Sequence, residues 1–94
     1  MGKKARLKQE RLADKLLQIR SALGLSQTEM LRRLGFEEAI DYKRISEYEL
    51  GKSEPPLEML LRYARVAGVC LDTLVDDELD LPEKLPNTPK HGRK

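Results

Sequence analysis

Four glycines divide the chain into short segments in which apolar residues recur every three or four positions. Before Gly24, the apolar positions from residue 12 to residue 23 follow helical spacing, and similar stripes precede Gly35, Gly51 and Gly68. Glycine commonly ends a helix because it adopts a left-handed backbone without strain. The pattern predicts five short helices between residues 12 and 81 and gives no convincing strand.

Local signals mark where several of these helices begin. Ser26 and Glu29 have the spacing of a capping box at the start of helix 2, and Asp41 is suited to cap helix 3. Pro55 and Pro56 fit the first turn of helix 4, where a missing N–H costs nothing. A fifth helix is predicted around residues 72–77. The residues expected to face inward from helices 3 to 5 are Ile45, Tyr48, Leu57, Leu60, Leu61, Ala64, Leu71, Leu74 and Val75.

Composition excludes several classes of protein. The 94 residues suffice for one domain, and a single cysteine cannot crosslink it, which is typical of a reduced, cytoplasmic protein. Cys70 is expected to be a small buried residue at the start of helix 5. No apolar run approaches a membrane span. No metal-ligand spacing, phosphate loop or nucleophile motif is present, and His91 lies near the chain end. We therefore expect no catalytic residues, no metal, no cofactor and no small-molecule ligand.

Charge is unevenly distributed although the net charge is only +2. Residues 1–20 hold seven Lys or Arg against two acids, whereas residues 72–83 hold six acids and no base. One interpretation is a polarised molecule that turns its basic face toward phosphates. The other is that both segments are ordinary solvated surface. Charge alone does not decide between these interpretations.

Four segments resemble, in order, the Cro and lambda-repressor-like helix-turn-helix family, also called the xenobiotic response element (XRE) family. LSQTEMLRRLG at residues 25–35 resembles the family's helix 2, and ISEYELGK at residues 45–52 resembles the end of its recognition helix. Residues 55–64 resemble helix 4, and residues 69–74 resemble the start of helix 5. The resemblance implies an all-α, five-helix lambda-repressor-like domain with the helix-turn-helix at helices 2 and 3. We accordingly divide the chain into a basic extension of helix 1 (1–11), the helix-turn-helix domain (12–81) and a Pro-rich basic tail (82–94) that is expected to be disordered and to bury nothing.

The same resemblance implies which residues contact DNA. The recognition helix spans about Asp41–Glu49 and enters the major groove, where each base pair shows a distinct edge pattern. Lys43 would contact guanine, and Glu47 would accept from cytosine or repel non-cognate backbone. Phosphates would meet the start of helix 2 and the turn after helix 3. The implied DNA-binding residues are Ser26, Gln27, Tyr42, Lys43, Arg44, Glu47 and Lys52.

These roles have plainer alternatives. Gln27 would only complete the cap of helix 2, and Lys43 and Arg44 would be ordinary surface charges. Tyr42 would pack on the connection between helices 2 and 3, and Glu47 would be a solvated acid.

The resemblance also implies a partly buried ion pair between Arg20 and Glu49, which would fix the recognition helix against helix 1.

Two features of the sequence depart from the family. The interval from Gly35 to Ile45 is longer than usual, largely through residues 36–40, and Leu31 stands where the family favours alanine. Our hypothesis is that the longer turn accommodates the larger side chain and shifts the recognition helix.

The leading interpretation is a repressor-like transcriptional regulator that binds double-stranded DNA as a homodimer. Within that class, an antitoxin-type autoregulator is an alternative. A protein-interaction domain that reuses the fold is the alternative from another class, because the charges of the presumed recognition helix cancel. The outer side of helix 5 with Leu79 and Leu81 is the expected self-association surface, and the equal alternative is that these two leucines fold back on their own helices.

Overall fold

A computed structural model describes residues 10–86, and all the regular secondary structure in that range is α-helical. The helices are α1 (Leu12–Leu23), α2 (Gln27–Leu34), α3 (Lys43–Glu49), α4 (Leu57–Ala67) and α5 (Leu71–Val75). This arrangement confirms the all-α, five-helix expectation. Helix α1 begins at Leu12, so residues 10 and 11 do not extend it as predicted. The rest of the predicted extension and the part of the predicted tail after Pro86 lie outside the described residues.

The predicted signals at the junction of α1 and α2 operate as expected. Gly24 has a φ of 70°, and the Gly24 N–H donates to the carbonyl of Ser21 at 3.1 Å, which ends α1. Ser26 Oγ accepts from the Glu29 N–H at 3.1 Å, and the Ser26 N–H donates to Glu29 Oε1 at 2.8 Å. These hydrogen bonds hold the pKa of Glu29 below its usual value. The capping box is therefore present, and α2 begins where the sequence predicts.

Two other helix starts differ from the prediction by a residue or two. Helix α3 begins at Lys43, although Asp41 Oδ1 still accepts from the Lys43 N–H at 3.0 Å. Helix α4 begins at Leu57, so Pro56 precedes the first turn instead of occupying it. The predicted inward position of Leu57 is wrong, since 70% of this residue is exposed. The buried stripe of α4 consists of Met59, Leu60, Tyr63, Ala64 and Ala67.

Helix α1 lies against α3, α4 and α5, while α2 packs on α3 and α4. At the centre are fully buried side chains contributed by every helix: Leu16, Ile19, Met30, Leu34, Ile45, Met59, Tyr63 and Leu74. Leu71 and Val75 are only partly buried against this core. The expected core roles of Ile45, Tyr48 and Leu74 are thus confirmed. This packing buries the inner face of α3 against the other helices.

The segment after α5 contributes to the core. Leu85 is only 5% exposed, which corrects the expectation that nothing after residue 81 is buried. A surface cavity beside it is lined by Gln18, Ser21 and Ala22 of α1 and by residues 81–83. Leu81 packs on the domain's own core, whereas Leu79 is exposed. The start of the predicted tail therefore lies along α1. Of the two leucines predicted for self-association, Leu81 is packed against the domain's own core.

Opposite charges from the two ends of the chain meet at the start of α1. Asp77 Oδ2 accepts from the Glu10 N–H at 2.8 Å, and Asp77 Oδ1 accepts from the Arg11 N–H at 3.2 Å. The Arg11 guanidinium in turn donates to the Asp77 carbonyl and pairs with Asp80. Asp77 therefore caps a helix that begins 65 positions earlier, a role that no local pattern could indicate. Part of the basic segment faces the acidic segment and not an external phosphate.

Lys15 is a buried cation that joins α1 to α5. It is 1% exposed, and its Nζ donates to the carbonyls of Thr73 and Asp76 at 2.8 and 2.9 Å. These carbonyls belong to the last turn and end of α5, where the helix leaves acceptors unsatisfied. Burial lowers the pKa of Lys15, with the nearby positive charge of Arg11 acting in the same direction. Lys15 thus satisfies the C-terminal end of α5 from a neighbouring helix.

The Asp77 contacts predict a pH-dependent stability difference. Hydrogen bonds, first that from the Glu10 N–H, lower the pKa of Asp77 below 3.8 in the folded protein. We expect Asp77→Asn to lower the thermal melting temperature at pH 7. The difference from wild type should disappear as the pH falls through the lowered folded pKa, because the native carboxylate is then lost as well. Melting curves between pH 7 and pH 2 measure this, with Glu83→Gln as an exposed acid of the same segment. An Asp77→Asn deficit that persists unchanged at the lowest pH would contradict the assignment.

Candidate nucleic-acid interface

Helix α3 is buried on one side and exposed on the other. Ile45 and Tyr48 face the core, while Tyr42, Lys43 and Arg44 are exposed at its beginning. Residues three and four positions apart share a helix face, so Ile45 and Tyr48 form the inner side and Lys43 and Glu47 share a face away from it. An α-helix presented in this manner has the dimensions to enter a DNA major groove.

The Arg20–Glu49 ion pair is present and joins α1 to the end of α3. Arg20 Nε lies 2.6 Å from Glu49 Oε2, and Arg20 Nη2 lies 3.0 Å from Glu49 Oε1. The side chains are 20% and 5% exposed, respectively. Arg20 Nη1 also donates to the carbonyl of Leu25 at 3.0 Å, between α1 and α2. One guanidinium therefore contacts α3 and the α1–α2 connection together.

The surroundings of the pair favour its charged form. The hydrogen bond to Glu49 raises the pKa of Arg20. Tyr63 is buried close by, and burial together with the charge of Glu49 raises the pKa of its phenol. Tyr63 therefore stays neutral beside the ion pair, and the bidentate geometry supplies two charge-assisted hydrogen bonds.

The two candidate phosphate ligands at the start of α2 both make contacts within the protein. Ser26 Oγ accepts the capping hydrogen bond, although its O–H remains a donor by chemistry. Gln27 Nε2 lies 3.4 Å from Glu49 Oε1, a contact that the sequence did not indicate. Gln27 is thereby oriented by the same carboxylate that holds Arg20. The proposed phosphate contacts of Ser26 and Gln27 stay predictions.

The outer side of α3 carries little net charge. Arg44 Nε lies 3.3 Å from Glu47 Oε1, and both side chains are about half exposed at 50% and 46%. This pairing leaves Lys43 as the positive group at the start of the helix. The contact engages Arg44 Nε and one Glu47 oxygen, and a guanidinium has further N–H donors that can reach another partner.

The turn after α3 presents another candidate contact. The Lys52 N–H donates to the Glu47 carbonyl at 2.9 Å, which fixes the backbone, and the residue is exposed. Leu50 at the end of α3 is 64% exposed. The sequence analysis did not include Leu50 in the candidate surface. Its position outside the Ile45–Tyr48 stripe is the signal that indicates its exposure.

The long connection between α2 and α3 is ordered and partly buried. The N–H groups of Ala39 and Ile40 donate to the Phe36 carbonyl at 2.9 and 3.1 Å. Phe36 and Ile40 pack against the core, and Leu31 is buried. The predicted connection at residues 36–40 is therefore confirmed as a turn. Whether it compensates for Leu31 by shifting α3 stays a hypothesis.

Cys70 stands directly before α5, as expected, but it is exposed. The expectation of a buried small residue is wrong, because the core side of this junction is occupied by Leu74 and the partly buried Val69.

Among residues 10–86, no cluster of His, Cys, Asp and Glu could hold a metal ion. The described helices include none with the length and apolarity to cross a membrane.

Comparison with known proteins gives one match. A family profile described as "Helix-turn-helix" matches residues 16–74, which is more than half of the chain. The match runs from within α1 to within α5 and contains the whole of α2, α3 and α4. Searches of curated proteins and of solved structures give no significant match.

Proposed function

The chain belongs to the Cro/lambda-repressor-like (XRE) helix-turn-helix family of DNA-binding regulators, and from that premise we propose that it is a sequence-specific, repressor-like transcriptional regulator. The family is not typically enzymatic. The observation that carries the proposal is that α3 is clamped to the scaffold by the Arg20–Glu49 pair while its opposite side is exposed. A rigidly held, accessible helix is what base readout requires.

The exposed residues divide into two proposed roles. Lys43 and Glu47 would read base edges, and the exposed Tyr42 and Arg44 would contact DNA next to them. Lys52 follows α3 in a turn whose backbone is fixed, which suits a phosphate contact that sets position without reading sequence. Ser26 and Gln27 would contact a phosphate at the start of α2, where helix N–H groups favour an anion.

We also propose that the protein binds a two-fold symmetric operator as a homodimer. A single α3 of seven residues reaches few base pairs, and symmetric duplication is the usual way in which such helices gain specificity. Sedimentation of the protein with operator DNA would test this. Two copies per duplex and half-sites about one helical turn apart are expected.

Selection of bound sequences from a random DNA pool tests the main proposal. We expect enrichment of one sequence with approximate two-fold symmetry. Its affinity should fall steeply between about 50 mM and about 200 mM salt, because phosphate contacts release counterions. Failure to enrich any sequence, together with no binding to genomic DNA at the lower salt concentration, would refute DNA recognition.

The Arg44–Glu47 pair favours one second candidate, a protein-interaction domain that uses the same fold. With Arg44 and Glu47 paired, Lys43 is the remaining positive group of the outer face, so this face attracts DNA less than a strongly basic helix would and also suits contact with a protein surface. The salt-dependent binding experiment separates the two candidates, because an interaction domain would show no affinity for either DNA pool.

A further inference from the structure

The connection between α2 and α3 is held by one side chain of α4. The Arg62 guanidinium carbon lies 5.1 Å from the centroid of the Phe36 ring. Arg62 Nη1 donates to the carbonyl of Leu34 at 2.8 Å, and Arg62 Nε donates to Glu58 Oε2 at 3.0 Å. A single guanidinium thus contacts the end of α2, the first residue of the long turn, and its own helix.

Each contact has a separate physical basis. The Leu34 carbonyl is at the C-terminal end of α2, where intrahelical partners run out and positive charge is favourable. The Phe36 ring presents its negative face to the cation. Glu58, one turn earlier on α4, orients the guanidinium from the other side. These requirements can be met together only by a planar group with several donors, which lysine lacks.

Gly35 fits this arrangement for two reasons. Its φ of 84° is in the left-handed region that side chains disfavour. A Cβ atom at this position would also lie 2.7 Å from Arg62 Nη1. Any side chain there would displace the guanidinium from the Leu34 carbonyl. The absence of a side chain at Gly35 therefore allows Arg62 to approach the backbone at the end of α2.

We propose that Arg62 is a positioning residue for DNA recognition. It contacts neither base nor phosphate in this proposal, and it acts by fixing the long turn from which α3 starts. The Arg20–Glu49 pair holds the end of α3, and Arg62 holds the approach to its beginning. The direction of α3 is then determined at both ends. This inference rests on the proposed DNA-binding function and adds a residue to it.

Arg62→Lys is the test, because lysine preserves the charge and the i,i+4 pair with Glu58 while losing the stacked, forked geometry. We expect normal helix content by circular dichroism and about tenfold weaker binding to the selected operator. Binding to random DNA should change less, and the salt slope should be unchanged because no phosphate contact is lost. Amide hydrogen exchange should become faster in residues 36–40 and in α3.

Arg65→Lys is the matched control, since it makes the same substitution on the same helix. An equal loss of affinity in Arg65→Lys, or wild-type operator affinity in Arg62→Lys, would overturn the proposal. A salt slope reduced by about one in Arg62→Gln would do so as well, because the loss of the positive charge would then have removed a phosphate contact. Should Arg62→Lys fail to fold, Phe36→Leu removes the ring while keeping an apolar side chain, and the same loss of operator affinity is expected.

The exchange measurement separates this inference from the proposed function. If the wild-type protein binds no DNA, the regulator proposal fails. Faster exchange in the turn and α3 of Arg62→Lys would still support the bracing role, and unchanged exchange would refute it.

Discussion

Glu49→Ala is expected to lower the free energy of unfolding by about 3 kcal/mol, because it leaves the partly buried Arg20 guanidinium without its carboxylate partner. Glu49 is 5% exposed and accepts two hydrogen bonds from Arg20, so water compensates poorly for its removal. A loss of this size is a large fraction of the stability of a small domain. Urea unfolding followed by circular dichroism measures it.

Glu47→Ala supplies the control, since it removes a carboxylate from the same helix whose ion pair is half exposed. Its effect should stay within about 0.5 kcal/mol. Because the two groups act together, Arg20→Ala/Glu49→Ala should lose less stability than the sum of the two single variants. Wild-type stability in Glu49→Ala, or strict additivity in the double variant, would show that the pair does not hold α3.

Lys43→Ala is expected to weaken binding to the selected operator by about 1–3 kcal/mol and to relax sequence preference at one base pair. Lys43 is exposed at the first position of α3, and the neighbouring Arg44 is engaged with Glu47. Its loss should therefore remove base readout more than general attraction to DNA. Operator variants that differ at single base pairs provide the measurement.

Lys52→Ala is the comparison, because it also removes one exposed lysine but lies after α3. It should weaken binding to operator and random DNA about equally and reduce the salt slope by about one. If the two variants behave alike, Lys43 is not a base reader. If both bind like wild type, the recognition surface lies elsewhere on the domain.

Local chemistry made much of the fold predictable. Gly24 and the Ser26–Glu29 capping box act within one or two turns of the chain, so their meaning can be read without knowledge of the fold. Residue spacing also identified the buried side of α3 at Ile45 and Tyr48. The start of α4 was harder to predict, because Pro55 and Pro56 fit more than one position at a helix start. The helix begins at Leu57, which is not among its buried residues.

Interactions between distant segments could not be predicted from spacing. The roles of Lys15, Arg62 and Asp77 depend on carbonyls, a ring and amide groups that only the folded chain brings near. As sequence, all three are ordinary charged residues of a highly charged protein. Leu85 was missed for a similar reason, since a single leucine among prolines and charges shows no periodicity.

The candidate interface combines both kinds of information. The Arg20–Glu49 pair was implied by family resemblance and is present, whereas the Gln27–Glu49 contact was not anticipated. The pairing of Arg44 with Glu47 likewise depends on side-chain conformation, which the sequence does not specify. The local pattern identified the helix that is presented, and the structure shows which of its charges already have partners.

The Asp77 cap makes the order of synthesis matter for this chain. Helix α1 is synthesised before Asp77, whose carboxylate accepts from the Arg11 N–H and lies 66 positions further along the chain. Joining points so far apart costs chain entropy, and this cost is offset only when the segment after α5 docks and forms its contacts. A nascent or truncated chain that stops short of Asp77 therefore lacks the segment after α5 and also the carboxylate that binds the N–H groups at the start of α1.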